Sequence, residues 1–139
     1  RRGMKKTTQL LHRIKNASKN DLSFLEDKDF KDVSLPYYLC DLLAAHHMSK
    51  IQYILDMNLD RTYGYQILNG RRRPTRELLI ETAMLLQLDL EQTQRLLKIA
   101  QRNVLYPRVK TDAVAIFALE KKLNLEEYRE LMDDIKRGI

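Results

Sequence analysis

Ten side chains between positions 50 and 73 suit a polyanionic partner: Lys50, Arg61, Thr62, Tyr63, Tyr65, Gln66, Asn69, Arg71, Arg72 and Arg73. Three of them are consecutive arginines, and Arg76 follows closely. A guanidinium is always charged and can hold phosphate oxygens through two parallel N–H donors, fixing register without reading sequence. Directly ahead of the arginines, DRTYGYQILNGRRRPT (60–75) carries hydroxyl, amide and aromatic groups. At base edges in a major groove, an amide pairs with adenine and an arginine with guanine. Groups for base reading and for phosphate contact therefore share one short stretch.

Other chemistries find little support. His46 and His47 are neighbours on a predicted helix, so their rings diverge, and His12 is remote in sequence. With one cysteine, Cys40, there is no zinc-ligand spacing; Cys40 reads as a small buried apolar residue. Glu126, Glu127, Glu130, Asp133 and Asp134 stand with Arg129 and Lys136 at helical spacing, the pattern of a solvated helix face. No glycine-rich loop is available to cradle a nucleotide. No enzyme activity, catalytic residue, metal site or cofactor is expected.

The elements that position the basic stretch read as helices throughout, because apolar residues recur at three and four and alternating runs are absent. A helix over 36–47 has Pro36 in its first turn and Ser34 as a candidate cap. Ser49 with Gln52 reads as a capping box for a helix over 50–57. Asp60 caps the next helix, 61–69, and Gly70 ends it. Pro74 and Thr75 start a helix to about 86. Asp89 with Gln92 opens 90–102, Thr111 or Asp112 starts a helix to about 122, and Asn124 with Glu127 opens the last, to about 137. The join at 58–60 is short enough to force a steep crossing, the helix-turn-helix arrangement. On a wheel of 100° per residue, Gly64, Ile67 and Leu68 face inward. Thr62, Tyr65, Gln66 and Asn69 face outward, with Arg61 and Tyr63 on the flanks. About nine residues span ~14 Å, a length that lies well in a groove. Lys50, at the start of the preceding helix, suits a backbone phosphate.

The whole chain agrees with this reading. It has 139 residues, 44% hydrophobic, and a net charge of +6, so it can bury a core and favours an anionic partner. Arg1, Arg2 and Gly3 ahead of Met4 read as a tag remnant. The lone cysteine suits a reducing, cytoplasmic setting, and no apolar run approaches a membrane span. Residues 1–35 are expected to hold that remnant and a partly helical arm. The arm has a short helix over 8–17, carrying Leu10, Leu11 and Ile14, and a broken segment carrying Leu22, Phe24, Leu25, Phe30 and Val33. Residues 36–103 are expected to form a helix-turn-helix, DNA-binding domain and 104–139 a helical hairpin. The hairpin carries Val114, Phe117, Ala118, Leu125, Tyr128, Leu131, Met132 and Ile135, enough apolar groups to pack on the domain or form a dimer surface. AMLLQLDLEQTQRLLKIA (83–100) aligns without gaps to ALEKKLNLEEYRELMDDI (118–135). Either a repeated hairpin or convergence of capped hairpins on one pattern accounts for that likeness.

SKIQYILDMNLDRTYGYQILNGRRRPT (49–75) resembles the helix-turn-helix domains of the lambda repressor, Cro and XRE class. Ser49, Gln66, Ile67, Gly70, Pro74 and Thr75 hold that family's places, and the likeness covers roughly 36–100. The resemblance implies an all-α, five-helix lambda-repressor-like bundle whose recognition helix is 61–69. By matching position, Arg61, Thr62 and Gln66 face bases, while Lys50, Tyr63, Asn69 and Arg71 lie near the backbone or the groove edge. It also implies a homodimer on double-stranded DNA and a bacterial or phage transcriptional regulator. The chain departs from the family at Ile54, Asn58 and Gly64, where a small alanine, a glycine and a branched aliphatic are usual. Ile54 and Gly64 have exchanged large for small, so Ile54 is expected to fill the space left by Gly64.

Two rivals stay open: a helical interaction module that kept the fold and lost DNA binding, and the antitoxin half of a toxin–antitoxin pair. In either, a protein partner meets the N-terminal arm or the C-terminal hairpin. RNA binding lacks an aromatic sheet platform.

Overall fold

A computed structural model describes residues 9, 11–20 and 34–138, and the chain divides into two compact units, Arg1–Asp32 and Val33–Ile139. In the first unit, residues 11–16 are helical, with Leu11 and Ile14 exposed and Asn16 Nδ2 2.8 Å from His12 Nε2. Leu10 and the apolar residues of the broken segment (Leu22, Phe24, Leu25, Phe30 and Val33) lie outside the described residues.

The second unit is all-α among its described residues: α1 Leu35–Ala45, α2 Lys50–Asp56, α3 Arg61–Leu68, α4 Arg76–Leu85, α5 Leu90–Ile99, α6 Lys110–Glu120 and α7 Leu125–Lys136. One core runs through it, from Leu39 and Leu43 in α1 through Tyr53, Ile54, Ile67, Leu79, Leu96 and Leu97 to Leu119 and Met132. Helix α4 is central: it packs on α5, α6 and α7, while α3 packs on α1 and α2. The C-terminal hairpin, α6 with α7, buries Ala115, Ala118, Leu119, Leu125, Tyr128 and Met132 in that core, leaving Phe117 about half exposed.

Four of the joins between helices are the same object. After α1, α2, α4 and α6 the chain places His47, Asn58, Gln87 and Lys122 in the left-handed region, at φ 56, 55, 56 and 56°. The next residue is apolar (Met48, Leu59, Leu88, Leu123), and its N–H donates back to the carbonyl of residue 43, 54, 83 or 118. That pattern satisfies the helix-end carbonyls and turns the chain. A polar residue then caps the following helix. Ser49, Asp60, Asp89 and Asn124 accept from the N–H of Gln52, Tyr63, Gln92 and Glu127. The join occurs twice outside the two aligned segments, so it accounts for the likeness around Leu-Asp-Leu-Glu and Leu-Asn-Leu-Glu without a repeated domain.

Several local expectations change. Helix α5 stops at Ile99 rather than running to 102. Gln52 does not complete a capping box; its amide donates instead to Asp56 Oδ1 at 2.6 Å. Helix α1 starts one residue early, at Leu35, and Ser34 makes no side-chain cap bond. Helix α6 begins at Lys110 after Val109, with no side-chain cap, so neither Thr111 nor Asp112 starts it; the Asp112 carboxylate is engaged by Arg76.

Candidate nucleic-acid interface

Helix α3 starts where Asp60 Oδ2 accepts from the Tyr63 N–H at 3.1 Å. It ends at Leu68, and the chain turns away at Gly70, where a φ of +85° and closeness to Pro36 (a Cβ would lie 2.8 Å from its Cγ) both favour glycine. Gly64, Ile67 and Leu68 are buried against α1 and α2. The space beside Gly64 is occupied by Ile54: a Cβ built at Gly64 would lie 2.6 Å from Ile54 Cγ1. The glycine lets the two helices approach with an isoleucine between them.

Of the expected contacts on α3, Arg61, Thr62, Tyr65 and Asn69 are exposed, and so is Lys50 at the start of α2. Gln66 is half-buried; its carbonyl accepts from the N–H groups of Arg71 (2.9 Å) and Arg72 (3.1 Å). Tyr63 packs partly against the core, and the Arg72 guanidinium stacks 5.3 Å from its ring centroid. Such stacking holds a cation on a phenol face without neutralising it. Arg71, Arg72 and Arg73 are all exposed.

The arginines divide in their engagements. Arg73 Nη2 donates to the carbonyls of Ala100 (3.1 Å) and Gln101 (2.9 Å), at the C-terminal end of α5. A cation there meets the negative end of the helix dipole. Arg76 forks onto Asp112 at 2.9 and 2.8 Å and also donates to the carbonyls of Asn103 and Val104. Asp112 is 4% exposed and accepts a further bond from the Tyr106 N–H. The Arg76 hydrogen bonds hold the Asp112 carboxyl below the usual carboxylate range and raise Arg76 in turn. Arg102 donates to the Pro74 carbonyl at 2.7 Å. Arg129, read above as part of a solvated face, pairs with Glu81 and donates to the Met57 carbonyl at the end of α2.

Sequence reasoning missed Asp112 as the partner of Arg76, and Arg102 altogether. An aspartate in a helix's first turn looks like a cap, and nothing local points to a partner 36 residues away. Cys40 is half-buried, its Sγ 3.7 Å from the Leu68 carbonyl. Among the described residues, no group of three or more His, Cys, Asp or Glu side chains could hold a metal ion, and no helix is long and apolar enough to cross a membrane. No protein-family model, curated protein or solved structure matches this chain.

Proposed function

We propose that the chain is a sequence-specific DNA-binding transcriptional regulator of the XRE-like class. Helices α1 to α5 form its lambda-repressor-like domain, and α3 lies in the major groove. One observation carries this reading. The exposed side of α3 presents Arg61, Thr62, Tyr65 and Asn69, and exposed Arg71 and Arg72 stand immediately beyond its end. Arg61, Thr62 and Gln66 read bases, Tyr65 and Asn69 line the groove, and Lys50, Arg71 and Arg72 meet phosphates. Arg73 belongs to the same basic loop through its remaining donors. The regulator acts in the cytoplasm of a bacterial or phage system, as a homodimer on two half-sites. No catalytic step and no cofactor form part of this reading.

The test is selection of random duplex DNA by the purified protein, followed by titration of the retained sequence against salt. A reader enriches two half-sites about one helical turn apart. Its affinity falls linearly in log salt, with a slope set by the phosphates contacted. Retention without enrichment overturns sequence-specific reading.

A second reading, a protein-interaction module or antitoxin, is favoured by the hairpin side of the molecule, where Tyr106, Val109 and Phe117 are 55, 45 and 51% exposed. Exposed large apolar side chains in this part of the chain are available to a protein partner. Co-purification of one stoichiometric protein, with no DNA retained, supports that reading.

A further inference from the structure

We propose that Arg76 and Asp112 are positioning residues that hold the basic loop at 71–74 in register with α3, so that the C-terminal hairpin sets the geometry of Arg71 and Arg72. The consequence for DNA rests on the function proposed above. The mechanical part does not.

The loop is short of anchors of its own. Its backbone N–H groups bond only to near neighbours in sequence: Gly70, Arg71 and Arg72 donate to the carbonyls of Gln66 and Ile67, and Arg71 also to the Asn69 side chain. The segment facing it, 101–109, has no regular secondary structure, yet it buries Leu105. Backbone carbonyls in such a segment need partners from elsewhere. They come from three side chains. Arg73 takes the carbonyls of Ala100 and Gln101, Arg76 those of Asn103 and Val104, and the Gln94 amide clamps Leu105 through both its N–H and its carbonyl. Arg102 returns the contact, donating from that segment to the carbonyl of Pro74. Two loops that contribute little regular structure are thus cross-linked in both directions.

Asp112 gives this lattice its fixed point. Arg76 leaves the basic loop at the first residue of α4, and its fork onto Asp112 fixes the guanidinium plane. With that plane fixed, the other donors meet the carbonyls of Asn103 and Val104. The Tyr106 N–H bonds the same carboxylate, which ties the end of the irregular segment to α6. Without the carboxylate, Arg76 keeps only neutral acceptors. The 101–109 segment loses its anchor to α6, and Arg73 and Pro74 lose a rigid counterpart. Arg71 and Arg72 face no partner in the lattice and are carried by it.

The test uses the full chain with Asp112→Asn, and Ile54→Val as a milder core destabilisation outside the lattice. Amide hydrogen exchange is measured where all three proteins are folded. The lattice predicts that the amides of Arg71 and Arg72 exchange about tenfold faster in Asp112→Asn, while amides in α1 and α5 keep their order of protection. Ile54→Val should show no such selectivity. Uniform acceleration, or none at the loop, overturns the positioning role. The same proteins are titrated with a random-sequence 20-base-pair duplex. Asp112→Asn should lose about one unit of salt slope relative to wild type. A freed loop with an unchanged slope overturns the positioning of Arg71 and Arg72. A wild-type protein that ignores the duplex, with the loop still selectively freed, overturns the DNA reading and leaves the lattice standing.

Discussion

Ile54 sits in the space that a side chain at residue 64 would need, with its Cγ1, Cδ1 and Cγ2 atoms 2.6, 2.9 and 3.2 Å from a Cβ built there. The two residues are complementary halves of one packing volume at the α2–α3 crossing. Ile54→Ala should cost about 2–5 kcal/mol by opening a cavity. Gly64→Ala should cost roughly 1–3 kcal/mol despite better helix propensity, because the Cγ1 it meets lies close to the Ile54 backbone. The double variant should be more stable than Ile54→Ala alone. Urea unfolding of the four proteins measures the coupling, and strict additivity would remove the link between the residues.

Asp112 should make stability depend on pH. Its carboxyl is depressed in the folded chain, foremost by the Arg76 hydrogen bonds. A depressed carboxylate contributes stability that is fully present above the unfolded value, ~3.9, and is lost as pH falls through the lower folded value. Asp112→Asn should therefore cost about 2–3 kcal/mol at neutral pH. The gap to wild type should narrow below about pH 4. Parallel stability curves across that window would show that the ion pair contributes nothing.

Glycine at two helix ends should stabilise the fold. Gln101 and Lys122 are exposed, left-handed residues at φ 57 and 56°. The conformation costs a side-chain-bearing residue roughly 1 kcal/mol, which glycine avoids. Gln101→Gly and Lys122→Gly should each raise the thermal midpoint by a few degrees. Gln87 shares the conformation, but its amide donates to the Leu123 carbonyl at 2.7 Å, so Gln87→Gly should gain less. Equal gains at the three sites would mean that this amide bond adds nothing.

The arginines should separate by readout. Arg73→Ala removes two bonds to the end of α5 and should lower thermal stability, whereas Arg71→Ala should leave it unchanged. On DNA, Arg71→Ala should weaken all sequences alike and take about one unit from the salt slope. Gln66→Ala should relax preference at one base position. Identical melting and binding profiles for Arg71→Ala and Arg73→Ala would erase the distinction between them.

What could be read in advance was local. Asp60, Asp89 and Asn124 announce helix starts because a cap and the N–H that donates to it lie three residues apart, and Gly64 with Ile54 stood out as a matched departure from an expected pattern. The inward side of α3 followed from a period of 3.6 residues. What escaped was long-range. The engagement of Arg73 is decided by carbonyls 27 and 28 residues away, and that of Asp112 by an arginine 36 residues away. A run of three arginines looks uniform in sequence, but its members meet different surroundings once α5 and α6 are folded. Gln52 erred in the opposite direction, because Asp56 one turn on competed for its amide.

The join between α2 and α3 has the geometry of three other joins in the same chain. It asks for a residue that tolerates a left-handed backbone, then an apolar residue, then a cap. The outward positions 61, 62, 65 and 69 are spectators to the folding of that corner. The chain can therefore exchange the chemistry written on this helix as freely as text on a label, while the hinge that presents it stays the same.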